Sequence, residues 1–254
     1  MQLRGAVAIV TGGGTGIGRA VSESLARAGA AAVVVNYSRS GDDARATATA
    51  LAELGCEGVP WQASVADETA VRAMVDATVS RFGRLDVLVN NAGTTRFIPH
   101  PDLDALTRDA WDDVLSVNLM GTFYCCRAAA PALKESRGAI VNVASIAGTR
   151  ASGSSIVYGV SKAAVLQLTR HLAVALAPEV RVNAVAPGLV ATRWFRTPFG
   201  EEAAAAQEDR IASGTPLGRV ATAADVAQAV MGFLGADLVS GETMVVDGGR
   251  HVTY

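Results

Sequence analysis

Cysteine and histidine are both scarce, with three of each in a chain of 254 residues. Cys56, Cys125 and Cys126 are odd in number, two of them are adjacent, and no C-x-x-C pair occurs. That pattern excludes a disulfide framework. His100, His171 and His251 stand far apart, with no H-E-x-x-H and no close His/Cys cluster. No metal centre is expected, and His171 reads as structural. A serine hydrolase would want G-x-S-x-G, which neither VASIA around Ser145 nor GSSIV around Ser155 satisfies. An excess of one charge is also missing. The formal net charge is -2, so nothing electrostatic argues for nucleic acid or an anionic membrane as partner. The apolar runs are short and interrupted, so no membrane-spanning helix is expected. The opening Met1-Gln2-Leu3-Arg4-Gly5 lacks the marks of a signal peptide. The expected compartment is the cytoplasm.

What the chain does have is alternation. Half of its residues are apolar, enough for a sizeable core. Short β-branched runs recur at 6–11, 32–37, 58–63, 85–90, 139–144, 180–186 and 243–247. Several are apolar on consecutive residues, as in parallel strands buried on both faces. Between them lie segments of helical period, such as 17–28 with apolar residues at 17, 20, 21, 25 and 28. This alternation predicts an α/β fold: one doubly wound, Rossmann-like domain over 1–254, its seven-stranded parallel sheet flanked by helices. A long helix is expected from about 106 to 134, broken before Pro131, and another from about 154 to 176, ended by Pro178. The segment from about 189 to 215 lies where an open sheet places a substrate lid. Trp194, Phe195 and Phe199 within it are candidates either for an apolar pocket wall or for packing the lid onto the body.

The first strand runs into TGGGTGIG, residues 11–18. Neither G-x-G-x-x-G nor the complete NTPase loop fits. The latter would need Lys-Ser/Thr where Arg19-Ala20 stand. What remains is G-x-x-x-G-x-G on Gly12, Gly16 and Gly18, a loop whose backbone N–H groups can approach a phosphate at a helix start. The second strand ends in Asn36, 18 residues after Gly18, followed by Tyr37, Ser38 and Arg39. A NAD-binding chain usually carries a carboxylate there for the ribose 2′-hydroxyl. Ser38 and Arg39 can instead hold a 2′-phosphate by charge-assisted hydrogen bonds, which favours NADP (NADPH) over NAD.

Four further residues carry chemistry. Asn118 is expected within the first long helix and Ser145 at the end of the fifth strand. Tyr158 and Lys162, in YGVSK, are four apart and share a helix face. The lysine charge is expected to lower the tyrosine pKa, so that its hydroxyl exchanges a proton with a carbonyl or alcohol. Ser145 would hydrogen-bond the same oxygen.

Together, TGGGTGIG, NNAG at 90–93, Asn118, Ser145, YGVSK and the Pro187-Gly188 pair with Thr192 beyond it identify the chain as resembling the short-chain dehydrogenase/reductase family over its whole length. The resemblance implies that Gly12, Thr15, Gly16, Ile17 and Gly18 hold the pyrophosphate of the cofactor. Asn91, Ala92 and Gly93 would line the adenosine ribose side, Asn36 would lie at the second strand end, and Ser64 and Val65 would border the adenine. Pro187, Gly188, Val190 and Thr192 would position the nicotinamide, with Lys162 on its ribose beside Tyr158. Asn118 would hold a water linking Lys162 to solvent. Three departures from the family's habits are visible. Ser64 replaces an Asp, Thr15 stands where many NADP-preferring members have a basic residue, and Pro131 and Val174 replace the basic residues with which acyl-carrier-protein reductases dock their carrier.

The activity implied is NADP-dependent exchange between a ketone and a secondary alcohol, on a small-molecule carbonyl or alcohol substrate, in a homotetramer. The alternatives are a 3-oxoacyl-[acyl-carrier-protein] reductase and, from another class, a non-catalytic nucleotide sensor or scaffold on the same fold.

Overall fold

The computed structural model describes residues 1–253, apart from the side chain of Pro198. Tyr254, the last residue of the expected domain, lies outside the described residues. Seven strands form: β1 (Val7–Val10), β2 (Ala32–Tyr37), β3 (Glu57–Gln62), β4 (Val87–Asn90), β5 (Ala139–Val143), β6 (Arg181–Pro187) and β7 (Thr243–Val246). Each coincides with an expected run. All pair in parallel, in the order β3-β2-β1-β4-β5-β6-β7. This is the seven-stranded, Rossmann-like sheet the alternation implied.

The side-chain period of two explains why both faces are apolar. Ala8 and Val10 of β1, with Val33, Val35, Val87 and Val89, face one way. There they meet α1 (Gly16–Arg27) through Val21 and Leu25, and α9 (Ala223–Gly235) through Val226, Val230 and Phe233. Ile9, Val34, Leu88 and Ile140 face the other way. They meet α3 (Glu68–Phe82) through Val71 and Met74, and α5 (Thr122–Ser136) through Cys125, Cys126 and Leu133. The three cysteines are buried free thiols. Between β2 and β3 runs α2 (Gly41–Glu53).

The chain leaves β1 toward β2 and β3, then returns to place β4 on the other side of β1. The loops after β1 and β4 therefore diverge at one point of the sheet edge, leaving a crevice at the strands' carboxyl ends. Hydrogen bonds hold its sides together. The Thr11 hydroxyl accepts from the N–H groups of Asn91 and Ala92 at 3.0 Å each. The Asn91 amide donates to the carbonyls of Thr11 and Gly12 at 3.0 and 3.1 Å.

The first long helix differs from expectation. It runs as α4 (Arg108–Leu115), a wide π turn over Ser116–Gly121, and α5, which continues through Pro131. The irregularity thus falls at Asn118, whose side chain bonds the neighbouring loop, rather than before the proline. Gly121 is needed in this turn because a Cβ there would stand 2.6 Å from Val65 Cγ2. The second long helix, α6 (Ile156–Ala175), starts at Ser155, whose hydroxyl accepts from Tyr158 N–H at 3.3 Å. The expected lid holds α7 (Arg193–Phe199) and α8 (Glu201–Ser213).

Ile140 is fully buried at the sheet's centre. Ile140→Ala should cost about 2–5 kcal/mol in equilibrium denaturation. A loss well below about 1 kcal/mol would mean that this face is not close-packed.

Candidate active site

A cavity of about 1370 Å³ occupies the crevice and extends beneath the lid. It is bordered by every expected site residue except Gly18 and Asn118. Those two act from behind its wall. A Cβ on Gly18 would fall 2.1 Å from the Gly12 carbonyl oxygen, so glycine there lets α1 start hard against the end of β1. Gly12 and Gly16 hold φ of +60° and +50°, a left-handed backbone that L side chains rarely adopt.

The loop fits a pyrophosphate. Thr15, at the start of α1, makes no side-chain cap, and the first turn carries no acidic residue. Its N–H groups and the positive end of the helix dipole remain available to an anion. The end of β2 divides its work. Asn36 is buried, and its amide donates to the Ala63 carbonyl at 3.0 Å while its oxygen accepts from Gly12 N–H at 3.4 Å. Its side chain thus braces the end of β2 against the glycine loop and the chain beyond β3, and the residue also borders the cavity. Ser38 and Arg39 are exposed on the cavity rim. Among the described residues Arg39 has no ion-pair partner. Ser64 is exposed, and its hydroxyl accepts from Ala66 N–H at 3.3 Å.

At the other end of the cavity, Ser145 follows β5, and its hydroxyl accepts from Ala147 N–H at 3.1 Å. Tyr158 and Lys162 project from the first turns of α6. Burial raises the Tyr158 pKa above 10, and a hydrogen bond with Ser145 opposes the rise. The Lys162 ammonium donates to the Val143 carbonyl at 2.9 Å and stands 5.8 Å from the centre of the Tyr158 ring. Burial lowers its pKa to about 8. The expectation that Lys162 lowers the tyrosine pKa is therefore not met: burial raises it, and the opposing contribution is the hydrogen bond with Ser145. Burial thus favours the neutral, proton-donating form of Tyr158.

Asn118 is buried behind Lys162. Its oxygen accepts from Thr94 N–H at 2.8 Å, and its amide donates to the Thr94 carbonyl at 3.0 Å and the Ser161 hydroxyl at 2.9 Å. Gly93 lies where these groups converge. A Cβ there would meet Asn118 Oδ1 at 3.4 Å, Lys162 Nζ at 3.7 Å and Trp194 Cη2, from the lid, at 3.9 Å. Trp194, Phe195 and Phe199 all border the cavity. Phe199 packs edge-on to Phe97 at 4.9 Å and at the same distance from Phe195. Sequence reasoning missed Thr11, Thr94 and Ser161, which hold site residues by hydrogen bonds. Thr11 opens the glycine loop and Ser161 sits inside YGVSK, so motif membership was their only signal. His171 is exposed and bonds Gln167 on its own helix, away from the cavity. Among the described residues no His/Cys/Asp/Glu group could hold a metal, and no helix is long and apolar enough to cross a membrane.

A glycine cradle at a sheet switch point, sharing one cavity with a Ser-Tyr-Lys cluster, defines a nucleotide-dependent oxidoreductase of the short-chain type, and the chain belongs to the short-chain dehydrogenase/reductase family. A family profile described as enoyl-(acyl carrier protein) reductase matches residues 12–251. Among its relatives, ketoacyl reductase 2, as named, of the granaticin polyketide synthase of Streptomyces violaceoruber is 45% identical over 97% of this chain and 96% of its own length. The 3-oxoacyl-[acyl-carrier-protein] reductase FabG of Staphylococcus aureus is 37% identical over 96% and 98%. A crystal structure described as a short-chain dehydrogenase/reductase, from Burkholderia xenovorans, superposes with a TM-score of 0.90 at 34% identity, covering 98% of each chain. The protein is an oxidoreductase acting between carbonyl and alcohol.

The buried lysine has a measurable consequence. Between about pH 8 and the ordinary lysine value near 10.5, the unfolded chain keeps a proton that folded Lys162 has released. Lys162 therefore makes stability rise with pH across that window. Burial of Cys56, Cys125 and Cys126 acts in the opposite sense, so Lys162→Met should show as a difference between the two proteins: across these pH values the variant should lose stability relative to the wild type by on the order of 2 kcal/mol, read from their denaturation midpoints. Parallel profiles would refute the assignment.

Proposed function

We propose that the protein interconverts a ketone and its secondary alcohol with NADP(H), using Tyr158 as the acid and base. The observation that supports this most directly is the convergence of Ser145, Tyr158 and Lys162 at one end of the cavity whose other end is the uncapped glycine loop. A bound nicotinamide would supply or accept the hydride. The chain's own part is to position and to move a proton. Gly12, Gly16 and Ile17, with Thr15 beside them, hold the pyrophosphate against the start of α1, and Gly18 allows that turn to form. Asn91, Ala92 and Gly93 line the ribose side, and Ser64 and Val65 border the adenine. Pro187, Gly188, Val190 and Thr192 bound the nicotinamide end, with Lys162 on its ribose.

In the reducing direction the neutral Tyr158 hydroxyl donates its proton to the carbonyl oxygen, while the Ser145 hydroxyl hydrogen-bonds that oxygen as charge develops on it. Tyrosinate formed in this step is stabilised by the Lys162 ammonium. Asn118, engaged with Thr94 and Ser161, holds the backbone behind Lys162 and serves the proton path to solvent. Preference for NADP follows from Ser38 and Arg39 on the rim and from the missing carboxylate at the end of β2.

The aromatic wall of Phe97, Phe195 and Phe199 suits an apolar ketone. Relatives named for ketoacyl reduction support a ketoacyl substrate. Against a carrier-docking role of the acyl-carrier-protein reductase kind, Pro131 and an exposed Val174 stand where basic residues are expected. Apolar Met120, Val160 and Val174, exposed on the long helices, favour the homotetramer. A nucleotide sensor would have no use for a complete set of four catalytic positions.

Tyr158→Phe should lower kcat for ketone reduction by at least about 100-fold with NADPH binding little changed. Retained turnover would sink the mechanism. Arg39→Ala should weaken NADPH by about 10- to 100-fold and NADH far less, as measured by titration of each. Equal losses would remove Arg39 from the 2′-phosphate.

A further inference from the structure

Among the described residues, five buried side-chain polar atoms have no hydrogen-bond partner: Asn90 Oδ1, His100 Nε2, Ser152 Oγ, Thr243 Oγ1 and Asp247 Oδ2. Three of these residues, His100, Ser152 and Asp247, border the main cavity. Folded proteins pair nearly all of their buried polar groups, so a concentration of exceptions at one cavity points to a partner the chain does not supply. Asp247 is anchored through its other oxygen, which accepts from Gly249 N–H at 3.0 Å and contacts His251 Nδ1 at 2.8 Å. The side chains of His100 and Ser152 make no hydrogen bond to any described residue.

These two stand on facing segments. Ile98 N–H donates to the Ser154 carbonyl at 3.0 Å, and the hydroxyls of Thr95 and Ser154 share a hydrogen bond of 2.5 Å. His100 and Ser152 line both the main cavity and a smaller pocket of about 420 Å³ beside it. The wall adjoins the reacting centre, since a Cβ on Gly153 would come 3.1 Å from Tyr158 Cδ1. Phe97, Phe195 and Phe199 supply an apolar surface in the same cavity.

We propose that His100 and Ser152 form a subsite for a second oxygen of the substrate, a hydroxyl or carbonyl set apart from the ketone at Tyr158. The body joining the two oxygens is apolar and lies against the three phenylalanines. A serine hydroxyl both donates and accepts, and a neutral imidazole nitrogen does one or the other according to its tautomer. Both atoms are shielded from solvent, so reaching a ligand in the main cavity requires rotation about the Cα–Cβ bonds. The preferred substrates are thus oxygenated at two positions, and binding them satisfies atoms that are otherwise left unpaired.

The proposal rests on the ketone-reductase reading, and the test separates the two. β-Tetralone and its ring-hydroxylated derivatives are compared as substrates by kcat/KM with NADPH, and as ligands by calorimetry with the NADP+-loaded enzyme. The wild type should prefer a hydroxylated derivative in both measurements. Ser152→Ala and His100→Leu should each reduce that preference by about threefold to tenfold, through KM rather than kcat, and His100→Gln should restore part of it. Ser152→Ala, a small change on a loop, carries the test if His100→Leu does not fold. A preference unchanged by Ser152→Ala, or no preference in the wild type, overturns the subsite. Binding preference lost in the variants, with no turnover by the wild type, upholds the subsite and overturns the reductase reading.

Discussion

The pairing of β1 with β4 is the constraint on which the site depends. It puts two chain reversals at adjacent strand ends, and two sets of hydrogen bonds clamp them. The Thr11 hydroxyl receives the N–H groups of Asn91 and Ala92, and the Asn91 amide reaches back to the carbonyls of Thr11 and Gly12. Gly18 must lack a side chain because α1 starts against the Gly12 carbonyl. Residues from the two loops thereby become one rigid cradle, with the first turn of α1 free to receive an anion.

The same economy of contacts governs the other end of the cavity. Burying an ammonium is costly unless it is hydrogen-bonded, and Lys162 finds the Val143 carbonyl at the end of β5. Its lowered pKa is the residue of that cost. Desolvation also favours the protonated form of Tyr158, the state required to begin a reduction. Asn118 stabilises the arrangement from behind by occupying both backbone groups of Thr94 and the Ser161 hydroxyl. The π turn gives its side chain this position, and wide turns of this kind recur at functional sites.

Much of this was legible in the sequence for physical reasons. Strands buried on both faces must be apolar at consecutive residues, which made β1, β2, β4, β5 and β6 legible without knowing their order, while the partly buried edge strands β3 and β7 showed as short β-branched runs. Tyr158 and Lys162 declared a shared helix face by spacing alone. The break in the long helix was misplaced because proline is a strong local signal, whereas a π turn at Asn118 is supported by contacts from Thr94 and Ser161, remote in sequence. The bracing role of Asn36 was hidden for a similar reason. A polar residue at a strand end looks available for a ligand until its partners, Gly12 and Ala63, are known.

The sequence by itself determined the alternation of elements, the glycine spacing, the Ser-Tyr-Lys set and the absence of a carboxylate after β2, since each is a property of local residues and their period. Only the tertiary structure decided which polar groups face the cavity, which are engaged in bracing the scaffold, and which stand unpaired on its wall. It also decided that burial raises the Tyr158 pKa against the opposing hydrogen bond from Ser145. These outcomes depend on burial and on partners distant in the chain, quantities that no local pattern of residues encodes.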